Sequence, residues 1–350
     1  MTNTCEEKPI IGIILGDAAG IGPEIVAKVA ATDLFATCCR PVIIGDIRVL
    51  QQGMRVAKVT FPYKVIESMN EADWDKGLLV LDQKNLNPEE IKVGEINPIC
   101  GKASGDALIL AINLYKAGKI DGFCFAPLNK AAMKLGGHEF ESEHMLFAHH
   151  FNWTGPFGEV NVLDDLWTSR VTSHIPIKEV SAKLTVENIM RAIRLADQTL
   201  RRAGIGNAKL GIAALNPHGG ENGLCGREEI DVIIPAMELA RQENIDVVGP
   251  FPADILFIKA FNGDFDAAVT MYHDQGQIAM KLKGFEFGIT VAAGLPAPIV
   301  TAAHGTAYDI AGKGIAKTGA LENAVKMAAR IALCDKVRLD SGGVLTPPES

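Results

Sequence analysis

The sequence has few of the features that mark nucleic-acid-binding, membrane or disulfide-stabilised proteins. Its 34 Lys and Arg against 42 Asp and Glu give a net charge of −8, so it lacks the basic excess that binding to a phosphate backbone requires. No uninterrupted apolar run reaches the about 18 residues of a membrane span, and the stretch MTNTCEEKPI lacks the apolar core of a signal peptide. The seven cysteines form no C-x-x-C pair, which favours reduced, structural thiols. We therefore predict a cytoplasmic globular protein that binds neither nucleic acid nor membrane.

What the chain does contain is an alternation of short apolar runs and amphipathic segments. The runs, many ending in Gly, Pro, Asp or Asn, are Ile11–Leu15, Pro41–Asp46, Gly77–Asp82, Gly122–Ala126, Leu210–Leu215, Val247–Pro250, Ala267–Tyr272 and Ile289–Ala293. The clearest helical pattern has apolar residues three and four apart from Val186 to Leu200, behind a cap at Thr185. This alternation predicts an α/β fold with a largely parallel sheet and helices on both faces. In such sheets ligands bind at the carboxyl ends of the strands.

No repeat, low-complexity linker or clean domain break divides the chain. We predict a single two-lobed catalytic unit over residues 1–340, on grounds of size, and a flexible tail over residues 341–350.

Three histidines occur in similar polar settings, two of them directly after apolar runs. They are His174 in TSHIP, His218 in NPHGGE and His273 in YHDQG. Three imidazoles leave an open position on a divalent metal for a substrate oxygen. Their spacing matches no local metal motif, so each histidine could instead be a hydrogen-bonded loop residue. Asp254 and Asp274 are candidates for the carboxylates that orient the rings.

Glycine-rich segments provide further candidate binding loops. GDAAGIGPEI follows the first apolar run, and Pro23 suits the first turn of a helix whose N-terminus favours an anion. Its glycine spacing does not match the dinucleotide fingerprint, and a structural tight turn is the alternative. HGTAYDIAGKGIA, residues 304–316, is too rich in glycine for a good helix. It is predicted to be a ligand-contacting loop, or else a turn before the next helix.

A fourth candidate is Lys130 in APLNKAAM, which follows an apolar run and precedes Glu143 and His144. An ordinary solvated lysine is the alternative.

Together these motifs resemble the 4-hydroxythreonine-4-phosphate dehydrogenase (PdxA) family of pyridoxine biosynthesis. The resemblance runs through the segments already quoted and through LNPHGGENGLCGREEIDVIIPA, VVGPFPADILF and MYHDQGQIAMKLKGF, in the family's order, over roughly residues 9 to 333. It implies a fold like that of isocitrate and isopropylmalate dehydrogenases, with two α/β lobes and a central cleft. It also implies a homodimer with a shared active site.

The resemblance carries specific roles onto this chain. His174, His218 and His273 are implied to bind a divalent metal (Zn²⁺, Mg²⁺, Mn²⁺ or Co²⁺), with His273 reaching into the partner subunit's site. Lys281 matches a substrate-binding lysine, and Asp254 and Asp274 match acidic residues near the metal; we count these three as catalytic candidates. Candidate ligands of NAD or NADP lie in the HGTAYDIAGKG loop: His304, Gly305, Thr306 and Asp309.

The substrate pocket departs from the family pattern. Thr290 stands where the family has Asn, Ile299 stands where it has Arg, and Glu143 and His144 replace a His-Thr pair. Because an aliphatic side chain cannot replace a charge-assisted contact of about 1.5 to 3 kcal/mol, these changes disfavour a phosphorylated substrate.

We therefore predict an NAD(P) dehydrogenase that oxidises the secondary alcohol of an anionic hydroxy acid or dihydrodiol carboxylate, with decarboxylation of the keto acid. The alternatives are 4-hydroxythreonine-4-phosphate dehydrogenase itself, a related sugar-acid phosphate dehydrogenase, an acyl or phosphate transferase of similar fold, or a non-catalytic binding protein.

Overall fold

The computed structural model describes residues 8–341, which form two compact units. Unit 1 combines the chain up to Thr154 with the segment from Leu295 onward, and unit 2 spans Gly155–Gly294. Except for residue 341, the predicted tail lies outside the described residues, and the single two-lobed unit stays a prediction. Within residues 8–341, no helix is both long and apolar enough for a membrane span.

Unit 1 is built on a six-stranded parallel sheet in the order β3-β4-β2-β1-β5-β12. Its strands are β1 Ile10–Ile14, β2 Arg40–Gly45, β3 Lys64–Ile66, β4 Leu79–Asp82, β5 Gly122–Phe125 and β12 Ile299–Ala302. Its helices are α1 Gly22–Ala30, α2 Leu34–Cys38, α3 Ile47–Ala57, α4 Pro98–Lys116, α5 Lys130–Leu135, α6 Glu143–Phe151 and α12 Gly319–Asp340. The central strands are almost wholly buried, as expected for parallel strands covered on both faces.

Unit 2 has a mixed sheet in the order β11-β6-β7-β10-β8-β9. Its strands are β6 Gly158–Leu163, β7 Leu166–Arg170, β8 Lys209–Ala213, β9 Asp246–Phe251, β10 Ala267–Thr270 and β11 Ile289–Ala293. Its helices are α7 Val180–Lys183, α8 Val186–Arg202, α9 Ile234–Gln242, α10 Ala253–Phe261 and α11 His273–Gly284. Strand β6 runs antiparallel to both of its neighbours, and the pairs from β7 through β10 and β8 to β9 are parallel.

The predicted α/β fold and all eight predicted strands are confirmed, with small shifts at their ends. Helix α8 begins behind Thr185, whose hydroxyl accepts the backbone N–H of Asn188. The strands β3, β6, β7 and β12 were not predicted. The β6–β7 hairpin turns at Asp164, which has φ of 53°, without the Asn-Gly or Asp-Gly signal that marks such turns.

Candidate active site

The three predicted metal-binding histidines follow three neighbouring parallel strands of unit 2. Strand β10 lies between β7 and β8, and His174, His273 and His218 come within five residues of the ends of β7, β10 and β8, respectively. Carboxyl ends of parallel strands lie at one edge of a sheet, so the three side chains originate from the same edge. We call this edge of unit 2 the histidine edge.

The imidazole rings of His174 and His273 are neighbours, with 5.6 Å between their centroids and 42° between their planes. Metal–nitrogen bonds of about 2.1 Å would put two imidazole centroids on one ion roughly 5 Å apart. The Nδ1 atom of His273 lies 2.7 Å from Oδ1 of Asp274, a contact that orients the ring and leaves Nε2 for a ligand. The two rings are therefore close enough to share one divalent ion, whereas the family resemblance assigns His273 to the partner subunit's site.

His218 lies in a different backbone setting. It has φ of 54° and starts a run of left-handed residues that continues to Asn222, and its side chain is exposed. Within residues 8–341, no three His, Cys, Asp or Glu side chains are close enough together to hold a metal ion. The three-histidine metal site, and the reach of His273 into a partner subunit, therefore stay predictions.

The turn that carries His218 is held by Glu229, which the sequence did not mark. Its buried carboxylate accepts the backbone N–H groups of Leu215 and Asn216, both at 2.8 Å, and the side-chain amide of Asn216 at 2.9 Å. Strained left-handed residues persist only where surrounding contacts fix them. Glu229 thus supports the conformation that presents His218, and its burial could not be inferred from the sequence.

Lys281 shares one face of helix α11 with His273, because the two are eight residues apart with Gln277 midway. At 1.5 Å per residue, Lys281 lies about 12 Å along the helix, and its exposed side chain leans toward the N-terminal end where His273 is. The neighbouring Lys283 places its Nζ atom 5.2 Å from the ring centroid of Phe261. Helix α11 therefore presents an imidazole and a cation along one face.

Thr290, the predicted substrate contact on β11, belongs to a polar network that the sequence did not reveal. Its hydroxyl accepts the side-chain amide of Asn161 at 2.8 Å, and Asn161 in turn contacts Arg170 and Gln277. Asn161 and Arg170 lie on β6 and β7, the hairpin missed from the sequence. Without that hairpin, no local pattern could bring these residues together.

Asp254 lies in the first turn of α10, after β9, and is exposed. The hydrogen bond described for it is local, from the N–H of Ile255 at 3.0 Å. No described contact joins Asp254 to a histidine, and its catalytic role stays a prediction.

In unit 1, the loop after β12 packs on the GDAAGIG turn. The hydroxyl of Tyr308 donates to the buried carboxylate of Asp17, and the N–H of Ile21 donates to the carbonyl of Thr306 at 3.1 Å. A Cβ on Gly20 would come within 2.9 Å of Thr306. Burial raises the pKa of Asp17 despite the Tyr308 hydrogen bond, and burial also raises the pKa of Tyr308.

The other glycines of that turn allow close packing against the backbone of neighbouring segments, which favours the structural alternative over anion binding. A Cβ on Gly16 would meet the carbonyl oxygens of Ala126 and Pro127 at 2.6 Å, and one on Gly22 would meet the carbonyl of Leu15 at 2.2 Å.

The same loop is fixed further along by an ion pair on α1. Glu24 and Lys28 are one helical turn apart with 2.8 Å between their charged atoms. The Glu24 carboxylate accepts the N–H groups of Gly314 and Ala316, while the Lys28 ammonium donates to the carbonyls of the same two residues. Both ends of the 304–316 loop therefore contact residues 17–28, in the turn after β1 and in helix α1.

The predicted cofactor ligands, residues 304–309, lie at or beside the first of these attachments. Gly305 and Asp309 are exposed, and nothing lies within 4 Å of the position a Cβ on Gly305 would take. Nδ1 of His304 lies 3.1 Å from the carbonyl of Gly305, and Thr306 is buried. The loop thus offers open backbone at Gly305 on a fixed frame, while the four cofactor assignments stay predictions.

The predicted substrate residues of unit 1 are not all placed for ligand contact. Glu143 begins α6 and pairs with Lys130, with 3.4 Å between Oε2 and Nζ. His144 is buried with its ring centroid 5.9 Å from that of Phe147. Ile299 requires a correction: it pairs with Phe123 inside the sheet and is 1% exposed, so its side chain contacts the core.

An α/β fold with histidines and carboxylates at the carboxyl edge of a sheet is typical of α/β enzymes. Comparison with known proteins narrows the class, because the family described as "Pyridoxal phosphate biosynthetic protein PdxA" matches residues 37–328. The chain belongs to the PdxA family.

Named relatives agree on the type of reaction. A Pseudomonas aeruginosa protein whose name carries the term 4-hydroxythreonine-4-phosphate dehydrogenase is 45% identical over 327 residues, covering 92% of this chain and 97% of the relative. D-threonate 4-phosphate dehydrogenase from Cupriavidus necator is 40% identical, covering 93% and 97%. The structure of 4-hydroxythreonine-4-phosphate dehydrogenase from Klebsiella pneumoniae matches with a TM-score of 0.83 and 33% identity, covering 95% and 100%. The chain is accordingly an enzyme of the dehydrogenase type that acts on CH–OH groups.

A more distant solved structure has a different kind of substrate in its title. Terephthalate 1,2-cis-dihydrodiol dehydrogenase from Burkholderia xenovorans is 28% identical, with a TM-score of 0.60 and coverage of 97% and 99%. The relatives with higher identity are named for phosphorylated acids, so the comparisons favour the phosphorylated alternative over the substrate class first predicted.

Proposed function

We propose that this protein is a metal-dependent NAD(P) dehydrogenase that oxidises a secondary alcohol of a phosphorylated four-carbon hydroxy acid, of the 4-phosphohydroxythreonine or 4-phosphothreonate type. The observation that carries the proposal is the histidine edge, where His174, His218 and His273 follow three adjacent strands. Family membership and relatives at 40 and 45% identity over more than nine tenths of the chain support the same reaction.

Two sequence arguments against a phosphate lose force in the structure. The charge of Glu143, which would repel a dianion, is offset by Lys130 at 3.4 Å. Ile299 is buried, so its aliphatic side chain borders no ligand. We propose that Lys281 and Lys283, with backbone N–H groups, bind the anionic end of the substrate, and that the Thr290 hydroxyl lies beside it.

The chemistry requires a hydride to leave the carbinol carbon for the nicotinamide while the hydroxyl proton departs. A divalent ion bound by the three imidazoles would supply Lewis acidity toward the alcohol and toward the keto acid that can then lose carbon dioxide. Asp274 keeps His273 in the required orientation. Lys281, Asp254 and Asp274 are the titratable groups to which we assign substrate binding and proton transfer.

For the cofactor, we propose that the loop from His304 to Asp309 binds the adenosine half of NAD or NADP. The open backbone at Gly305 and the rigid attachment of Thr306 support this assignment. The location of the substrate and cofactor in a cleft between two lobes is part of the same proposal and derives from the family resemblance. So does a cytoplasmic location.

We infer that the active enzyme is a homodimer with a shared site. Helices α10 and α11 expose large apolar side chains, Ile258 at 61%, Ile278 at 60% and Leu282 at 84%. Ile278 and Leu282 are four residues apart and so share a face of α11, and exposed apolar side chains of this size are typical of association surfaces. His273 begins the same helix α11 on a different face, so the sharing of the metal site between subunits is inferred from the family resemblance.

The decisive experiment follows the absorbance of reduced nicotinamide after metal removal with a chelator and again after adding back a divalent ion. We expect metal-dependent turnover with 4-phosphohydroxythreonine or 4-phosphothreonate. Rapid turnover of a cis-dihydrodiol carboxylate but of neither phosphate would overturn the substrate assignment. Acyl or phosphoryl transfer that survives complete chelation would instead establish the transferase alternative.

His218→Ala tests the metal role. It should abolish oxidation and leave the fold intact, because the side chain is exposed and Glu229 holds the turn. His149→Ala is the matched control, since His149 is also exposed but has no assigned role. Unchanged turnover of the His218 variant would refute the three-histidine site.

A further inference from the structure

The hydroxyl of Thr290 ends a series of hydrogen bonds on one face of the unit 2 sheet. Asn161 on β6 and Thr290 on β11 are directly opposite each other in the antiparallel register, so their side chains share that face. The amide nitrogen of Asn161 lies 2.8 Å from the Thr290 hydroxyl. Arg170 and Gln277 contact the oxygen of the same amide at 2.8 and 2.6 Å. The direction of each hydrogen bond in this series decides what Thr290 can offer a ligand.

Arg170 fixes the orientation of the Asn161 amide. A guanidinium has only donors, so the Asn161 atom that faces its Nη1 must be the carbonyl oxygen. The guanidinium is itself held in place, because its Nε donates to the hydroxyl of Ser173 at 2.9 Å and its Nη2 donates to the carboxylate of Glu159. The Arg170 side chain and Asn161 are each 8% exposed. The flipped amide would therefore set two buried donors against each other, which is costly.

The orientation of Asn161 determines the role of the Thr290 hydroxyl. The amide nitrogen that faces it can only donate, so the hydroxyl accepts this hydrogen bond and its single proton remains for another acceptor. Within residues 8–341, no hydrogen bond is found in which this hydroxyl is the donor. Thr290 is partly exposed. Its hydroxyl is therefore available as a donor to a ligand atom that carries no proton of its own.

Helix α11 adds a positive charge on the same side of the sheet. The hydrogen bond from Gln277 to Asn161 holds this helix against the face that carries Thr290. Lys281 follows Gln277 by four residues, so it shares the same face of α11 and lies about 6 Å further along the helix. Its side chain is exposed. A hydroxyl donor and an ammonium group on one side of the sheet favour an anionic oxygen as their ligand and disfavour an amine or an N–H group.

On this basis we propose that Thr290 is a specificity-determining residue whose hydroxyl donates a hydrogen bond to a phosphate oxygen of the substrate. Asn161, oriented by Arg170, is the positioning residue that makes this hydroxyl a donor. The inference rests on the proposed function, because it presupposes that the anionic end of a phosphorylated hydroxy acid lies beside Thr290. Asn161 and Arg170 do not touch the substrate in this role and act only through Thr290.

The test is steady-state oxidation of 4-phosphothreonate and of 4-phosphohydroxythreonine by the metal-loaded enzyme. Thr290→Val keeps the shape of the side chain but removes the donor, so KM should rise about 10- to 100-fold with little change in kcat. Thr290→Ser retains the hydroxyl and should keep KM close to the wild-type value. Thr168→Val is the matched control, because Thr168 is buried opposite Asn161 on the other neighbouring strand and contacts only its backbone oxygen, at 3.4 Å. It should leave KM unchanged.

Inorganic phosphate tests whether the contact is to the phosphate or to the carboxylate of the substrate. It should inhibit competitively, and its inhibition constant should rise in Thr290→Val by a factor similar to that in KM. Thr290→Ser should again behave like the wild type. A higher KM with an unchanged inhibition constant for inorganic phosphate would overturn the assignment of the Thr290 contact to the phosphate.

Asn161→Asp tests the positioning role without touching Thr290. It keeps the oxygen that accepts from Arg170 and Gln277 but puts a second acceptor oxygen against Thr290, so the threonine hydroxyl turns its proton away from the substrate. KM should rise about 10-fold or more, and by a clearly smaller factor when Val already replaces Thr290, because no hydroxyl is then left to reverse. Equal factors in both backgrounds, as repulsion by the added charge alone would give, would overturn the positioning role. So would a loss of thermal stability with no change in KM.

The outcomes separate this inference from the proposed function. If the wild-type enzyme oxidises the phosphorylated acids but folded Thr290→Val has the same KM and the same inhibition constant for inorganic phosphate, the role of Thr290 is refuted and the proposed function stands. If the wild-type enzyme oxidises neither phosphorylated acid, the proposed function is refuted and the inference with it.

Discussion

Replacing Glu24 by Gln should destabilise unit 1 and disturb the candidate cofactor loop. The Glu24 side chain is 3% exposed and its carboxylate accepts three hydrogen bonds, from the ammonium of Lys28 and from the N–H groups of Gly314 and Ala316. A Gln side chain keeps one acceptor oxygen but turns an NH₂ group toward a donor. At least one charge-assisted hydrogen bond is therefore lost.

The size of the effect follows from these contacts. A hydrogen bond to a charged group contributes about 1.5 to 3 kcal/mol, and removing one member of a buried pair also leaves the other uncompensated. Lys28 is 22% exposed and keeps its two carbonyl partners, which offsets part of that penalty. We expect Glu24→Gln to lower the free energy of unfolding by about 2 to 4 kcal/mol.

Urea unfolding of Glu24→Gln and of a control measures this difference. The control is Asp231→Asn, which breaks the pair with Arg227 at the same i,i+4 spacing but with side chains 50% and 61% exposed. It should cost about 0.3 to 0.5 kcal/mol. The KM for the nicotinamide cofactor should rise in the Glu24 variant only, since the loop attached there contains the proposed cofactor ligands. Equal destabilisation by both substitutions would refute the reasoning from burial.

Other substitutions test the glycine-rich loops. Burial raises the pKa of Asp17 above 3.8, so above that pH the native state binds more protons than the unfolded state and stability falls as pH rises. Asp17→Asn removes this pH-dependent loss of stability. In urea unfolding at a series of pH values, the free energy of unfolding of the variant relative to wild type should therefore increase from pH 3.8 upward. A difference that does not change with pH would contradict the raised pKa of Asp17. Tyr308→Phe should lower the free energy of unfolding by about 1 to 3 kcal/mol, because Asp17 loses a buried hydrogen-bond donor. The control is Tyr63→Phe, because the exposed Tyr63 hydroxyl only accepts a hydrogen bond from a glutamine. It should change the free energy of unfolding by less than about 0.5 kcal/mol. In thermal melting, the stability of Gly305→Ala should be within about 0.5 kcal/mol of wild type. Gly16→Ala should lower the stability by more than about 2 kcal/mol, because φ at this position is 74° and backbone oxygens lie 2.6 Å from the new Cβ.

Local signals sufficed for eight of the strands, for the start of α8 and for the origin of His218 and His273. Continuous apolar runs such as Ile11–Leu15 predicted buried parallel strands, and Thr185 predicted a helix start, because both signals lie within a few residues of sequence. Polar residues after apolar runs predicted that His218 and His273 would lie at a carboxyl edge. Each of these inferences needs only the periodicity of one element.

Long-range packing could not be predicted in the same way. Asn161 and Gln277 are 116 residues apart, and Asn161 lies in an antiparallel hairpin without a recognisable turn signal. The burial of Ile299 and the pairing of Glu143 with Lys130 likewise depend on neighbours that alignment to a family pattern does not supply. The type of a residue predicted its chemistry, but its contact partners could be identified only from the three-dimensional fold.

The attachment of the 304–316 loop to α1 has a consequence for synthesis of the protein. Tyr308 and Asp17 are separated by 291 residues, and the Glu24 contacts span 290 and 292. Unit 2 is a continuous segment that leaves the ribosome before the last strand and helix of unit 1 exist. Strand β5 therefore lacks its β12 neighbour until nearly the whole chain is made, and a chain truncated shortly after unit 2 would leave unit 1 without β12, α12 and the loop that contacts Asp17 and Glu24.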